Sequence, residues 1–187
     1  MRDAPLRYRQ NRMSILKYFG LESNAATPAA PETDSVRKIT EALDRLDAER
    51  ARYIAGFAYV LSRAARADLR ISETETRAME RIVTEHSGLP EEQAIIVVQI
   101  AKTQNKLFGA TEDFLVTREF NKTATREQKL ALLDCLFAVA AAEALVSMEE
   151  DNAIRQIAQE LQLEHRDFIA VRSKYRDHLS ILKRPAP

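Results

Sequence analysis

The sequence predicts an all-α bundle of seven to eight helices, compact and built from two related halves. Three observations carry this. The first is an internal repeat. Ala65-Arg66-Ala67-Asp68-Leu69-Arg70-Ile71-Ser72-Glu73-Thr74-Glu75 returns 75 residues later as Ala140-Ala141-Ala142-Glu143-Ala144-Leu145-Val146-Ser147-Met148-Glu149-Glu150. Beyond it Ala78 matches Ala153, Met79 matches Ile154 and Ile82 matches Ile157. A repeat at fixed offset marks one structural unit used twice, here a helix-loop-helix corner, and the two corners are expected to be related by a pseudo-two-fold. The second observation is apolar spacing of helical period with no sustained strand alternation. The third is composition: 187 residues hold only 4 Gly and 6 Pro, so turns are few.

The remaining bulk properties exclude more than they select. Apolar residues make up 45% and charged residues 30%, an ordinary globular balance. Lys plus Arg and Asp plus Glu are both 28, so bulk charge points to neither nucleic acid nor a membrane surface. One Cys rules out an internal disulfide framework and fits a reducing, cytoplasmic setting. No apolar run reaches the roughly 18 residues that a membrane helix needs. The N-terminus is basic but has no apolar stretch followed by a cleavage site.

Along the chain, residues 1–33 read as a flexible arm and linker. Met13, a second candidate start, opens the short amphipathic segment Met13–Leu21, and Gly20–Thr33 is a linker with Pro28 and Pro31. The helical domain spans 34–180. Its first helix carries Val36, Ile39, Leu43 and Leu46. Asp47 caps a second, with Tyr53, Ile54, Phe57, Val60, Leu61 and Ala64 inward. Ser72 starts a third (Met79, Ile82, Val83), which Gly88 ends by accepting a left-handed conformation. Pro90 opens a fourth, through Ala94, Ile95, Val97, Val98 and Ala101, which Gly109 breaks. A short fifth begins at Thr111 or Glu112. Thr125-x-x-Gln128 is a capping box for a sixth, apolar through Leu130, Leu133, Leu136, Phe137 and Ala140. Ser147 starts a seventh, and an eighth runs from about Arg166 to Leu179 with Phe168, Val171 and Tyr175 inward. Residues 181–187 form a loose tail. The helix entering each corner is the most apolar of its half, so these two are expected to pack centrally.

The repeat places four carboxylates in equivalent positions: Asp68, Glu75, Glu143 and Glu150. Ser72-x-x-Glu75 and Ser147-x-x-Glu150 have the form of capping boxes, which accounts for both Glu residues without a ligand. Asp68 and Glu143 sit where a helix ends, at the negative pole of its dipole, where a carboxylate is disfavoured by a few tenths to about 1 kcal/mol. An ion pair with Arg66 or Arg70, or a hydrogen bond to the next turn, is one explanation; a ligand or partner is the other. An EF-hand is excluded, because the intervening positions are apolar or basic and no central Gly is present. A cation would have to be shared by the two corners.

The doubled corner in an all-helical setting resembles the TerB-like family of tellurite-resistance proteins, whose pattern is roughly Ala-Asp-Gly-x-Ile-Ser-x-x-Glu, present twice. The likeness covers about residues 35–180. Phe57-Ala58-Tyr59-Val60-Leu61 and Glu91-Glu92-Gln93 are similar to a bacterial branch of that family, and the fold class is shared with the N-terminal domain of DjlA-type co-chaperones. The resemblance implies a bundle with an acidic surface that takes a divalent metal (Mg or Ca), with Asp68, Glu75, Glu143 and Glu150 as ligands. The chain departs from the pattern at Leu69 and Ala144, where the family has Gly, and at Glu143, where it has Asp. Leu in place of Gly restricts the tight backbone that a metal loop favours.

Catalytic signatures are not found. Cys135 follows apolar packing and reads as an inert core thiol. His86, His165 and His178 have no zinc spacing, and there is no phosphate loop, nucleophile elbow or dinucleotide fingerprint. Lys102, Lys106, Arg118, Lys122 and Arg126 read as a solvated face. The expectation is therefore a non-catalytic binding module, not an enzyme, metal-responsive and linked to tellurite or other stress, with another protein as partner and no nucleic acid. The alternative is a metal-free protein-interaction or membrane-proximal adaptor, co-chaperone-like, touching a membrane through residues 13–19. A metal-dependent hydrolase comes third, for want of a nucleophile or base.

Overall fold

The helix starts at Asp47, Thr125 and Ser147 are set by side chains that take the first free backbone N–H groups. The computed structural model describes residues 34–64, 73–104, 113–143 and 145–182. Among them eight helices follow in order: α1 Asp34–Asp44, α2 Ala48–Ala64, α3 Glu73–Ser87, α4 Glu91–Gln104, α5 Asp113–Thr123, α6 Arg126–Glu143, α7 Met148–Glu160 and α8 His165–Lys174. Asp47 Oδ1 accepts the Arg50 N–H at 2.9 Å and starts α2. Thr125 and Gln128 exchange bonds of 3.2 and 2.8 Å at the head of α6, completing the capping box read from sequence. Gly88, at φ +69°, closes α3 in the left-handed region. The expected arm at 1–33, the first corner loop at 65–72, the break around Gly109 and the tail beyond 182 lie outside the described residues.

α2 sits at the centre. It touches α1, α4, α5, α6 and α7, and α6 touches α2, α3, α7 and α8. In the first half α4, not α2, has the higher mean hydropathy, which corrects the ranking expected from sequence. Centrality follows from the buried circumference instead: from Ala51 to Ser62 every α2 residue but Arg52 is buried. Two aromatic groups lock the layers. Tyr53 stands edge-on to Phe57 at 5.9 Å and stacks on Phe120 of α5 at 5.6 Å. Phe137 of α6 stacks on Tyr175 at 5.6 Å and meets Phe168 of α8 at 5.9 Å. Cys135 is fully buried, as its spacing predicts.

The last helix is shorter than expected. It ends at Lys174, and 3-10 turns follow at Arg176–His178 and Ser180–Leu182. The reason is a tertiary contact. Val146, in the second corner, donates its N–H to the His178 carbonyl at 2.8 Å and accepts the Ser180 N–H at 3.0 Å. This parallel bridge requires Leu179 to be extended (φ −77°, ψ 117°), which a continuing helix forbids. Val146 and Leu179 are each 1% exposed, so the bridge also buries two apolar side chains. It is the only extended pairing among the described residues.

The approach of α2 to α5 depends on Gly56. A Cβ built there would lie 2.6 Å from Phe120 Cδ2 and 3.2 Å from its Cβ. Helix propensity favours Ala over Gly by about 1 kcal/mol. Overpacking a filled core costs about 1–3 kcal/mol, and the Phe120 ring, held by Tyr53, has nowhere to go. Gly56→Ala is therefore expected to lower unfolding stability in denaturant melts. In a Phe120→Leu background the same change should become neutral or stabilising.

Candidate functional site

Most of the second corner lies among the described residues. α6 ends at Glu143 with no basic residue in its last turn, so nothing on that turn compensates a carboxylate at the negative helix pole. Leu145, 37% exposed, leads into the buried, bridged Val146. Ser147 then caps α7. Its Oγ accepts the Glu150 N–H at 3.1 Å, and Glu150 Oε2 accepts the Ser147 N–H at 2.8 Å. The box is complete, as the spacing predicts, and it engages one carboxylate oxygen of Glu150. Met148 and Glu149 are exposed beside it.

Asp68 and the Ser72 cap lie outside the described residues. Glu75 is in the first turn of α3 and Glu143 is the last residue of α6, but their side chains are outside the described ones. Among the described residues no three or more His, Cys, Asp or Glu side chains gather in a metal-like group. α3 and α7 begin at Glu73 and Met148, which are 75 residues apart, the offset of the sequence repeat.

Behind the corners lie charged pairs that the sequence did not reveal. Asp151, 4% exposed, accepts two bonds from Arg172 of α8, both 2.8 Å, a bidentate clamp of α7 to α8. Thr76, the residue 75 positions earlier, is also buried and accepts from Lys102 of α4 at 3.2 Å. In each case a buried acceptor in the first turns of one helix meets a cation of the next helix, although Lys102 and Arg172 are not 75 residues apart. The signal was present, since Asp151 shares the apolar stripe of Ile154 and Ala158. A carboxylate in such a stripe needs a partner. Arg63, near the end of α2, joins Thr117 of α5 at 2.7 Å and Glu160 of α7 through both guanidinium nitrogens at 2.5 and 3.2 Å.

Asp134 is the other convergence. One of its oxygens meets His86 Nδ1 at 2.6 Å and the other accepts from Lys174 Nζ at 3.0 Å. Its main-chain carbonyl accepts the Tyr175 hydroxyl at 3.1 Å. α3, α6 and the end of α8 are joined here. Burial works to raise the Asp134 carboxyl, but hydrogen bonds from His86 and Lys174 win and hold it below the ordinary 3.8. Burial pushes the neighbouring Cys135 thiol well up, keeping it protonated and unsuited to nucleophilic attack. The expected basic face resolves into local contacts: Lys102 bonds Thr76, Arg118 and Lys122 flank Glu119, and Arg126 pairs with Asp167. Lys106 lies outside the described residues.

Eight packed helices among the described residues, none of them long or apolar enough to cross a membrane, define an all-α bundle protein. The family model described as tellurite resistance protein TerB matches residues 54–173, well over half of the chain, and the chain belongs to that family. Comparisons with curated proteins and with solved structures found no match.

Two outcomes follow from this geometry. Ser147→Ala removes the cap and should cost about 0.5–2 kcal/mol in denaturant melts; Glu150→Gln, which keeps an acceptor oxygen, should cost less. The folded carboxyl of Asp134 lies below its unfolded value. Its contribution is therefore fully present above about pH 4 and fades as pH falls through the lowered value. In Asp134→Asn, stability against pH should be lower at neutrality and flatter on the acid side.

Proposed function

We propose that this chain is a non-catalytic binding module of the tellurite-resistance family that responds to a divalent cation at its acidic corners. Asp68, Glu75, Glu143 and Glu150 supply the ligands. The observation that carries the reading is that all four carboxylates fall within the stretch matched by the family model, at equivalent places in a sequence repeat. The donor chemistry fits the group. Carboxylate oxygens are hard ligands suited to Mg²⁺ or Ca²⁺. Ser147 occupies only one Glu150 oxygen, and the last turn of α6 holds no cation for Glu143. When bound, the cation would neutralise carboxylates that otherwise repel one another and oppose the α6 dipole. The two corners act as one site, related by a pseudo-two-fold.

A second reading has its own support. Leu145 and Met148, 37% and 53% exposed, flank the capped Ser147. Apolar side chains beside an acidic corner suit a protein partner with a basic and apolar face, and the module is then a stress-linked recruiting scaffold in the cytoplasm. Thermal melts separate the two readings. Mg²⁺ or Ca²⁺ should raise the Tm of the wild type and leave the Asp68→Asn/Glu143→Gln double variant unmoved, since a ligand stabilises only the state that binds it. Without ligand, the double variant should be as stable as the wild type or more so. If millimolar cations shift neither protein, and Asp68→Asn is strongly destabilising, the metal reading fails and the recruiting scaffold stands.

A further inference from the structure

The stretch Val146–Asp151 carries the cap and the Glu150 carboxylate of the second corner, and one later segment grips it at both ends. At the leading end Val146 gives its N–H to the His178 carbonyl at 2.8 Å and takes the Ser180 N–H at 3.0 Å. At the trailing end Asp151 holds the Arg172 guanidinium through both oxygens, each at 2.8 Å. Both fastenings are shielded from water, since Val146, Leu179 and Asp151 are all buried. Ser147 and Glu150 lie between them and bond each other.

The grip goes against local preference. The apolar spacing of α8 runs on to Leu179, yet the helix stops at Lys174 and Leu179 is extended at φ −77°, ψ 117°. A departure of this kind, imposed by outside contacts, is expected where a site must be kept in shape. What is kept in shape here is the path between two carboxylates. Glu143 is the last residue of α6 and Glu150 lies in the first turn of α7, so residues 144–147 set how they stand to each other. Val146, within that path, has its N–H and its carbonyl both tied outside it. Its side chain has no oxygen to offer an ion, so its part is to hold the path. Ligands that are already in place do not have to be ordered when an ion arrives, and that ordering would otherwise come off the affinity.

We propose that Arg172–Ser180 is a positioning segment for cation binding at the second corner. The Val146 bridge and the Asp151–Arg172 clamp hold Glu143 and Glu150 in one arrangement, without the segment itself touching the ion. The inference rests on the cation reading given above. Groups that orient metal ligands from behind change metal affinity by about 10- to 100-fold when they are lost.

Isothermal titration calorimetry of the full chain with Mg²⁺ or Ca²⁺ tests this, run well below the melting temperature of each variant and beside thermal melts without cation. Ser180→Pro deletes one N–H. Leu179 already has the extended conformation that a residue before proline requires, and proline suits the first residue of the turn Ser180–Leu182, so the change is confined to the bridge. Ser180→Ala keeps the N–H and is the control. Ser180→Pro should weaken cation affinity about tenfold or more, while Ser180→Ala should bind like the wild type. Arg172→Lys keeps the charge but loses the two-pronged hold on Asp151. It should also weaken binding, and it carries the test if Ser180→Pro does not fold. Folded variants that melt lower yet bind with wild-type affinity make the segment structural alone and overturn the proposal. So does a Ser180→Ala as weak as Ser180→Pro, which would place the effect in the hydroxyl. A wild type that takes up neither cation overturns the cation reading itself, and this inference with it.

Discussion

The bundle depends on a helix with almost no polar face. Between Ala51 and Ser62, every residue of α2 except Arg52 is buried. A helix that is apolar nearly all round cannot rest on a single partner, because each uncovered side would leave apolar area in water at roughly 25 cal/mol per Å². It must be enclosed, and five other helices enclose it. Gly56 sets how near α5 can come, and Phe120 fills the space that the missing side chain leaves. The charged residues then follow a division of labour. Of those near the bundle interior, Arg63 and Asp134 tie helices of one half to the other, while Asp151 and Arg172 tie α7 to α8 within the second. Those on the periphery cap helix starts or face solvent.

What the sequence made legible is local. Asp47, Gly88, the Thr125 box and the Ser147 box act within four residues of themselves, and each lies where its residue type has a specific backbone task. The core spacing was legible for the same reason, because a helix face repeats on a fixed period. The pairs that orient the helices were not. Arg63 meets Glu160 across 97 positions, and His86 meets Asp134 across 48. Nothing in either neighbourhood names the other residue. The end of α8 failed for a related reason: its local period continues to Leu179, and only the pairing with Val146 overrides it. α2 and α4 were ranked by apolar content, a property of one helix, whereas a central position depends on how many neighbours a helix acquires.

The candidate site shows the same boundary. A Ser-x-x-Glu spacing is enough to specify a capping box, and the second corner forms one. Whether the same carboxylate also serves a ligand depends on what approaches its remaining oxygen, which is a question about the other corner and not about the box. Asp151 illustrates how neighbouring acids divide: one residue after Glu150, it is withdrawn into the interior and neutralised by Arg172, while Glu149 stays in water. An acidic run that looks uniform in the sequence is, in the fold, three carboxylates with three different surroundings.

The Val146–Leu179 bridge has a consequence for the order in which the molecule is made. The second corner begins at residue 144, but its extended segment is held by backbone groups of His178 and Ser180, 32 and 34 positions beyond Val146. During vectorial synthesis, α2 to α6 can collapse on one another while that part of the chain is still inside the ribosome. The corner lacks its two bridging bonds until His178 and Ser180 emerge. The second acidic corner is thus a late-maturing element in a nascent chain, fastened only once α8 and the turns that follow it have been made.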